Sequence, residues 1–192
     1  MNIDRNEALK SITNRVKDAT KLVIYDPYIF PEDRKPPRSK LRGIVSGKVL
    51  KGGGSPQTPA GYSSPQQAGG HPGKSSNDNY LSELISVFPE KLSTLILFYS
   101  KDRCNQELRD KFIEKCSNCF DIYYFECKNS MRQMHDRIWI VNDETSFSTG
   151  TSFNSIGSNV SFMNALPADD LYSFKELLLN EFGTQIKGYI SM

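Results

Sequence analysis

From residue 31 to residue 76 apolar periodicity disappears, and Gly, Pro, Ser, Gln and Lys take over, with KGGGSPQTPAGYSSPQQAGGHPGKSS at the centre. Such composition cannot bury enough apolar surface to offset the entropy lost on ordering it, so the segment reads as a disordered insertion. Any folded unit must be assembled from the pieces on either side. The chain divides accordingly into residues 1–30, with a first helix and strand, the basic insertion 31–77, and the remainder of the domain, 78–192. With 192 residues, 38% of them hydrophobic and 24% charged, one sizeable core is possible without disulfides or a structural metal.

Charge and cysteine usage narrow the classes further. Lys and Arg number 24 against 22 acids, and a formal charge of +2 is too small to argue for a nucleic-acid partner by itself. Its distribution is one-sided, however: Arg34, Lys35, Arg38, Lys40, Arg42, Lys48, Lys51 and Lys74 run through the insertion with no acid between them. Such an arm can gather a polyanion by counterion release, and a solvated linker has the same composition. No apolar run approaches the roughly 20 residues of a bilayer span, and MNIDRNEALK lacks the basic-then-apolar order of a secretory signal. The expected location is the cytoplasm, with no membrane partner. Cys104, Cys116, Cys119 and Cys127 crowd one segment instead of spreading across the fold, which favours reduced thiols.

Periodicity places the elements. Asp4 with Glu7 can form a capping box, and Leu9, Ile12 and Val16 repeat along one helical face. Leu22 to Tyr25 read as a buried strand ending at Asp26-Pro27. A helix is expected near residues 80–88, followed by the strand STLILFYS, a helix over 105–115 and the aromatic strand DIYYFEC, which together make a β-α-β unit. RIWIV and SFSTG are two further strands, with a turn at Asn142-Asp143-Glu144-Thr145. A last helix spans about residues 170–182 and stops at Gly183. The class is α/β, a mixed β-sheet flanked by helices.

Two motifs are weak. AGGHPGKS, residues 68–75, satisfies a relaxed phosphate-loop pattern, but no buried strand feeds it, and Gly-, Pro- and Ser-rich sequence produces such matches by chance. His71 goes with it. Cys116 and Cys119 have zinc-knuckle spacing, yet Cys104 and Cys127 could join them only if helix and strand ends met at one point; ordinary reduced cysteines are the expectation, with no metal and no cofactor.

The informative stretch is MHDRIWIVNDETSFSTGTSFNSIGSN, where His135 and Arg137 enter one strand and Gly150, Ser152 and Asn154 follow the next. Residues two apart on a strand share a face, so both side chains can address one phosphate. A neutral imidazole, with an unperturbed pKa of about 6.5, can attack phosphorus to give a phosphohistidine. A guanidinium holds the non-bridging oxygens through its planar fork. Ser152 and Asn154 would add neutral donors, while Gly150 and Gly157 would let backbone approach the ligand.

These residues resemble the phospholipase D superfamily, whose half-motif H-x-K-x4-D is followed by a G-S-x-N-like turn. Arg137 takes the lysine position and Asn142 the aspartate position, with Asp143 one residue late. The spelling is closest to a prokaryotic and phage branch of single-motif members. The resemblance covers about a quarter of the chain strongly, and the strand ending at Asp26-Pro27-Tyr28 and the β-α-β unit are also similar to that fold. It implies a single phospholipase D-like domain, His135 and Arg137 as catalytic residues, and a homodimer in which a second His135 protonates the leaving oxygen, since the only other histidine is His71. Arg137 for lysine, Asn142 for aspartate, and the lack of any acid between Asn154 and Leu166 to orient His135 are departures from the pattern. The expected function is a metal-independent, nuclease-like phosphodiesterase, a hydrolase acting on DNA, RNA or another phosphodiester. The alternative is an impaired module of the same fold that binds phosphate, nucleic acid or a protein partner without turnover.

Overall fold

A computed structural model describes residues 4–32, 75–127, 131, 134, 136–156 and 163–192. Most of the insertion expected at 31–77 lies outside these residues. At its ends, Pro31 bridges Cys104 and a helix already begins at Ser75, five residues before the expected start.

Among the described residues the architecture is mixed α/β, with one six-stranded sheet. Its strands are β1 (Lys21–Tyr25), β2 (Thr94–Tyr99), β3 (Asp121–Glu126), β4 (Arg137–Val141), β5 (Thr145–Thr149) and β6 (Met163–Ala165), in the order β3-β2-β1-β4-β5-β6. β1, β2 and β3 are parallel, and β4, β5 and β6 continue antiparallel from β1. Helices α1 (Arg5–Val16), α2 (Ser75–Ser86), α3 (Gln106–Cys116) and α4 (Ala168–Phe182) complete the domain. None of the described helices is long and apolar enough to cross a membrane.

Side-chain alternation along the strands sorts the core into two layers. Leu22, Ile24, Leu95, Leu97, Trp139 and Val141 face α1, α2 and α3, where Ile12, Leu84 and Phe112 are buried against them. Val23, Tyr25, Ile96, Phe98, Ile138 and Ile140 face α4, which contributes Leu171, Phe174, Leu178 and Phe182. Parallel strands require crossovers of one hand, so α2, linking β1 to β2, and α3, linking β2 to β3, cover the same face. Each fully buried Leu, Ile or Phe contributes about 1.5–3 kcal/mol by leaving water.

Local signals set the helix ends. Asn105 caps α3, its side chain accepting from the Leu108 amide at 3.1 Å. Gly183 ends α4 at φ 57°, a conformation that L side chains rarely adopt. Asp4 stands at the N-cap of α1 without a side-chain hydrogen bond, so the expected capping box does not form.

The β4–β5 turn needs left-handed backbone at Asn142 (φ 51°) and Asp143 (φ 62°), which these two residue types tolerate. The Asn142 carboxamide then works as a staple. Its oxygen accepts from the amides of Thr20 (2.9 Å) and Lys21 (3.1 Å) and from the Thr20 hydroxyl (3.1 Å), and its nitrogen donates to the Asp18 carbonyl at 3.1 Å. Asp143 pairs with Lys21 at 2.6 Å, and the buried Lys175 ammonium donates to the carbonyls of Asp143 and Ser191, both at 2.6 Å. One end of the sheet is thereby fastened to the α1–β1 loop and to the C-terminal segment. Asn142→Ala, which orphans two backbone donors, is expected to cost on the order of 2–3 kcal/mol in urea unfolding, and Asn142→Asp, which keeps the acceptor for both amides but loses the donor to the Asp18 carbonyl, less than that. Equal losses for the two variants would contradict the staple.

Candidate functional site around Asp26 and Arg137

The opposite end of the sheet gathers the C-terminal ends of β1 and β2 and the N-terminal end of β4. Tyr25 pairs with Ile138 across antiparallel strands, so the next residues outward, Asp26 and Arg137, come opposite each other. Pro27 cannot donate to a ladder, and the chain turns there, with the Ile29 amide donating to the Asp26 carbonyl at 3.1 Å. Asp26 is fully buried. Its Oδ2 accepts from the Ser152 hydroxyl (2.8 Å) and the Phe153 amide (2.9 Å), and its Oδ1 accepts from the Tyr28 amide (2.9 Å). Arg137 Nε lies 3.8 Å from Oδ1, and its guanidinium sits over the Tyr28 ring, 5.1 Å from the centroid. The Arg137 side chain is 12% exposed, so most of it is covered.

Burial pushes the Asp26 carboxyl above the usual carboxylate range. The Phe153 amide, the Ser152 hydroxyl, the Tyr28 amide and the Arg137 charge pull the other way without overcoming it. A carboxylate out of water carries a penalty of several kcal/mol, which these donors offset in part.

The 152–156 turn is fixed from three further sides. Arg5 donates to the carbonyls of Ile156 (2.6 Å) and Phe153 (3.3 Å) and pairs with Glu83 at 2.7 Å. The buried Phe153 ring packs edge-on to Tyr80 at 5.8 Å and tilts against Trp139 at 6.4 Å. The Tyr80 hydroxyl donates to the Ile29 carbonyl. Sequence reading missed Arg5 and Tyr80 and saw Asp26 only as a strand end.

The expected site residues divide. His135 and Gly157 lie outside the described residues, as do His71 and the basic residues from Arg34 to Lys74. Arg137 stands at the open edge, and Gly150 is exposed just beyond β5. Asn154 is half-buried, its side-chain Oδ1 accepting from the Ser155 hydroxyl at 3.1 Å. Ser152 is a correction: its hydroxyl points inward to Asp26 and the residue is 5% exposed, so its donor locks a buried carboxylate and does not face a ligand. Asn142 and Asp143, expected as supporting residues, hold the fold at a distance from Arg137. They follow the far end of β4, on the order of 15 Å from Arg137 at about 3.3 Å per residue, and fasten the fold there.

The cysteines do not converge either. All four are free thiols; Cys104 and Cys116 are buried on the α1–α3 side, Cys127 is buried on the α4 side and Cys119 is exposed. Burial pushes the Cys104 and Cys116 thiols up to about 11, which keeps them protonated and unreactive.

Ser152→Ala tests the lock. It removes a hydrogen bond to a buried carboxyl group and should cost on the order of 1–3 kcal/mol in urea unfolding. Because the folded pKa of Asp26 lies above its unfolded value, its contribution to stability is fully present below the unfolded pKa and falls as pH rises through the folded one. The variant raises the folded pKa further, so its deficit should shrink on acidification, when Asp26 is protonated. A pH-independent deficit, or none, would contradict the assignment.

No protein-family model matches the chain, and no curated protein sequence matches it.

Proposed function

We propose that the chain is a single phospholipase D-like domain acting as a metal-independent, nuclease-like phosphodiesterase through a site shared across a homodimer. The observation that carries this reading is Arg137 at the start of β4, held 3.8 Å from the buried Asp26 carboxylate and stacked on Tyr28 at the open edge of the sheet. A fixed guanidinium at a strand end, two residues after a histidine in sequence, suits the clamping of a phosphodiester beside a nucleophile. The β-α-β unit before that strand and the hairpin after it also support the reading.

The chemistry runs in two steps. A ring nitrogen of His135 attacks phosphorus with its lone pair; the P–N bond forms as the bond to the leaving oxygen breaks, and that oxygen takes a proton from the partner's His135. Water then attacks the phosphohistidine, giving its proton to the same imidazole, and the P–N bond breaks to release the phosphomonoester. Arg137 neutralises the non-bridging oxygens in both steps. The exchange of aspartate for Asn142 falls at the stapled end of β4 and leaves this edge untouched. The four free thiols fit a reducing compartment, and the cytoplasm is the location this reading assigns.

One observation favours the second reading, a module that binds phosphate without turnover. The Ser152 hydroxyl is directed to Asp26 and most of Arg137 is covered, which takes donors away from the expected anion cradle.

Hydrolysis of bis(p-nitrophenyl) phosphate, DNA and RNA in excess EDTA decides between the two. The enzyme should turn over under these conditions, lose all turnover in His135→Ala, and slow by about 100-fold or more in Arg137→Ala. Turnover that survives His135→Ala ends the proposal. No turnover in the parent protein, with phosphate affinity lost in Arg137→Ala, establishes the binding module.

A further inference from the structure

The α4 side of the sheet is apolar only as far as β4. The register sets Ile138 opposite Ser148 and Ser148 opposite Asn164, so these three residues form a row on one face across β4, β5 and β6. Ile138 is buried with α4, Ser148 is half-buried and Asn164 is exposed, which marks where the helix stops covering the sheet. A groove of about 510 Å3 lies there, within the roughly 300–1,000 Å3 of small-molecule sites.

The helix supplies one wall. Asp170, Ser173, Phe174 and Leu177 recur at helical spacing and line the groove from α4. Leu177 is 41% exposed, an apolar side chain left uncovered beside this opening. Leu166 and Pro167, which follow β6, continue the apolar lining.

The charges are of one sign. Asp136 and Asp170 belong to the lining and no lysine or arginine does, nor is either carboxylate in an ion pair among the described residues. An acid in the first turn of a helix also favours the helix start, which gives Asp170 a second role; Asp136 precedes a strand and has none of that kind. Carboxylates only accept, and the Ser148 hydroxyl and Asn164 carboxamide can accept as well, so the groove offers acceptors and negative charge along apolar walls.

We infer that this groove binds an alkylamine, its ammonium group against the carboxylates and its hydrocarbon chain along Ile138, Phe174 and Leu177. The ammonium brings the donors and the positive charge that the lining lacks, and the chain gains by leaving water. An anionic ligand is repelled, so the groove is no second seat for a phosphodiester. Ile138 and Arg137 point to opposite faces of β4, which makes the site independent of the phosphate clamp and of its failure.

Nitrogen-15 NMR titrations at neutral pH and fixed ionic strength test it, with octylammonium, octanol and octanoate as probes below their micellar concentrations. Octylammonium should shift the amides of Ser148, Asn164 and Leu177 saturably and bind about fivefold more tightly than octanol, with octanoate weakest. The double substitution Asp136→Asn, Asp170→Asn should bring octylammonium to the affinity of octanol and leave octanol unchanged. Leu177→Ser should weaken both probes. These side chains are exposed, and urea unfolding of each variant checks that the fold is kept. Absence of saturable binding in the groove, equal affinity for the three probes, or a preference for octylammonium that survives the double substitution overturns the inference.

Discussion

A carboxylate sealed from water at the end of β1 organises the site. Asp26 cannot stay buried without donors: the Ser152 hydroxyl and Phe153 amide reach it from beyond β5 and the Tyr28 amide from its own turn, while the Arg137 charge lies 3.8 Å away on β4. Together they draw three segments, the turn after β1, residues 152–153 and the start of β4, to one point. The desolvation penalty of several kcal/mol is offset, in part, only when they arrive together, so the carboxyl group favours the correctly assembled state. The cost is visible in the direction of its pKa, which burial raises against every donor present.

The two ends of the sheet divide the work. At one end, Asn142, Asp143, Lys21 and Lys175 bind one another or backbone groups and fasten the turn. At the other, Arg137 and Tyr28 lie where strand ends face outward. The motif that spans β4 in sequence thus has a structural end and an open end. A substitution at Asn142 changes how the fold is held, whereas one at Arg137 changes the charge placed beside Asp26 at the open edge.

Most of the elements were legible because they repeat locally. The apolar run at 22–25, the β-α-β unit and α4 follow from alternation and helical periodicity, and Asn105 was placed at the start of its helix. What escaped depends on contacts across long stretches of chain. Asp26 before a proline reads as a turn residue, and nothing local indicates that Ser152, 126 residues on, will donate to it. Arg5 reaches Ile156 across 151 residues, and no pattern in the first helix announces that role. Ser75 opens α2 inside polar composition, and β6, three residues with two of them exposed, is too short to show alternation.

The most direct measurement is a carbon-13 NMR titration of the Asp26 carboxyl carbon. The account predicts an apparent pKa above the roughly 3.9 of an unperturbed aspartate, moving higher still in Arg137→Ala. A value at or below that reference, indifferent to Arg137, would mean that the carboxylate is solvated and that the strand ends are not gathered around it.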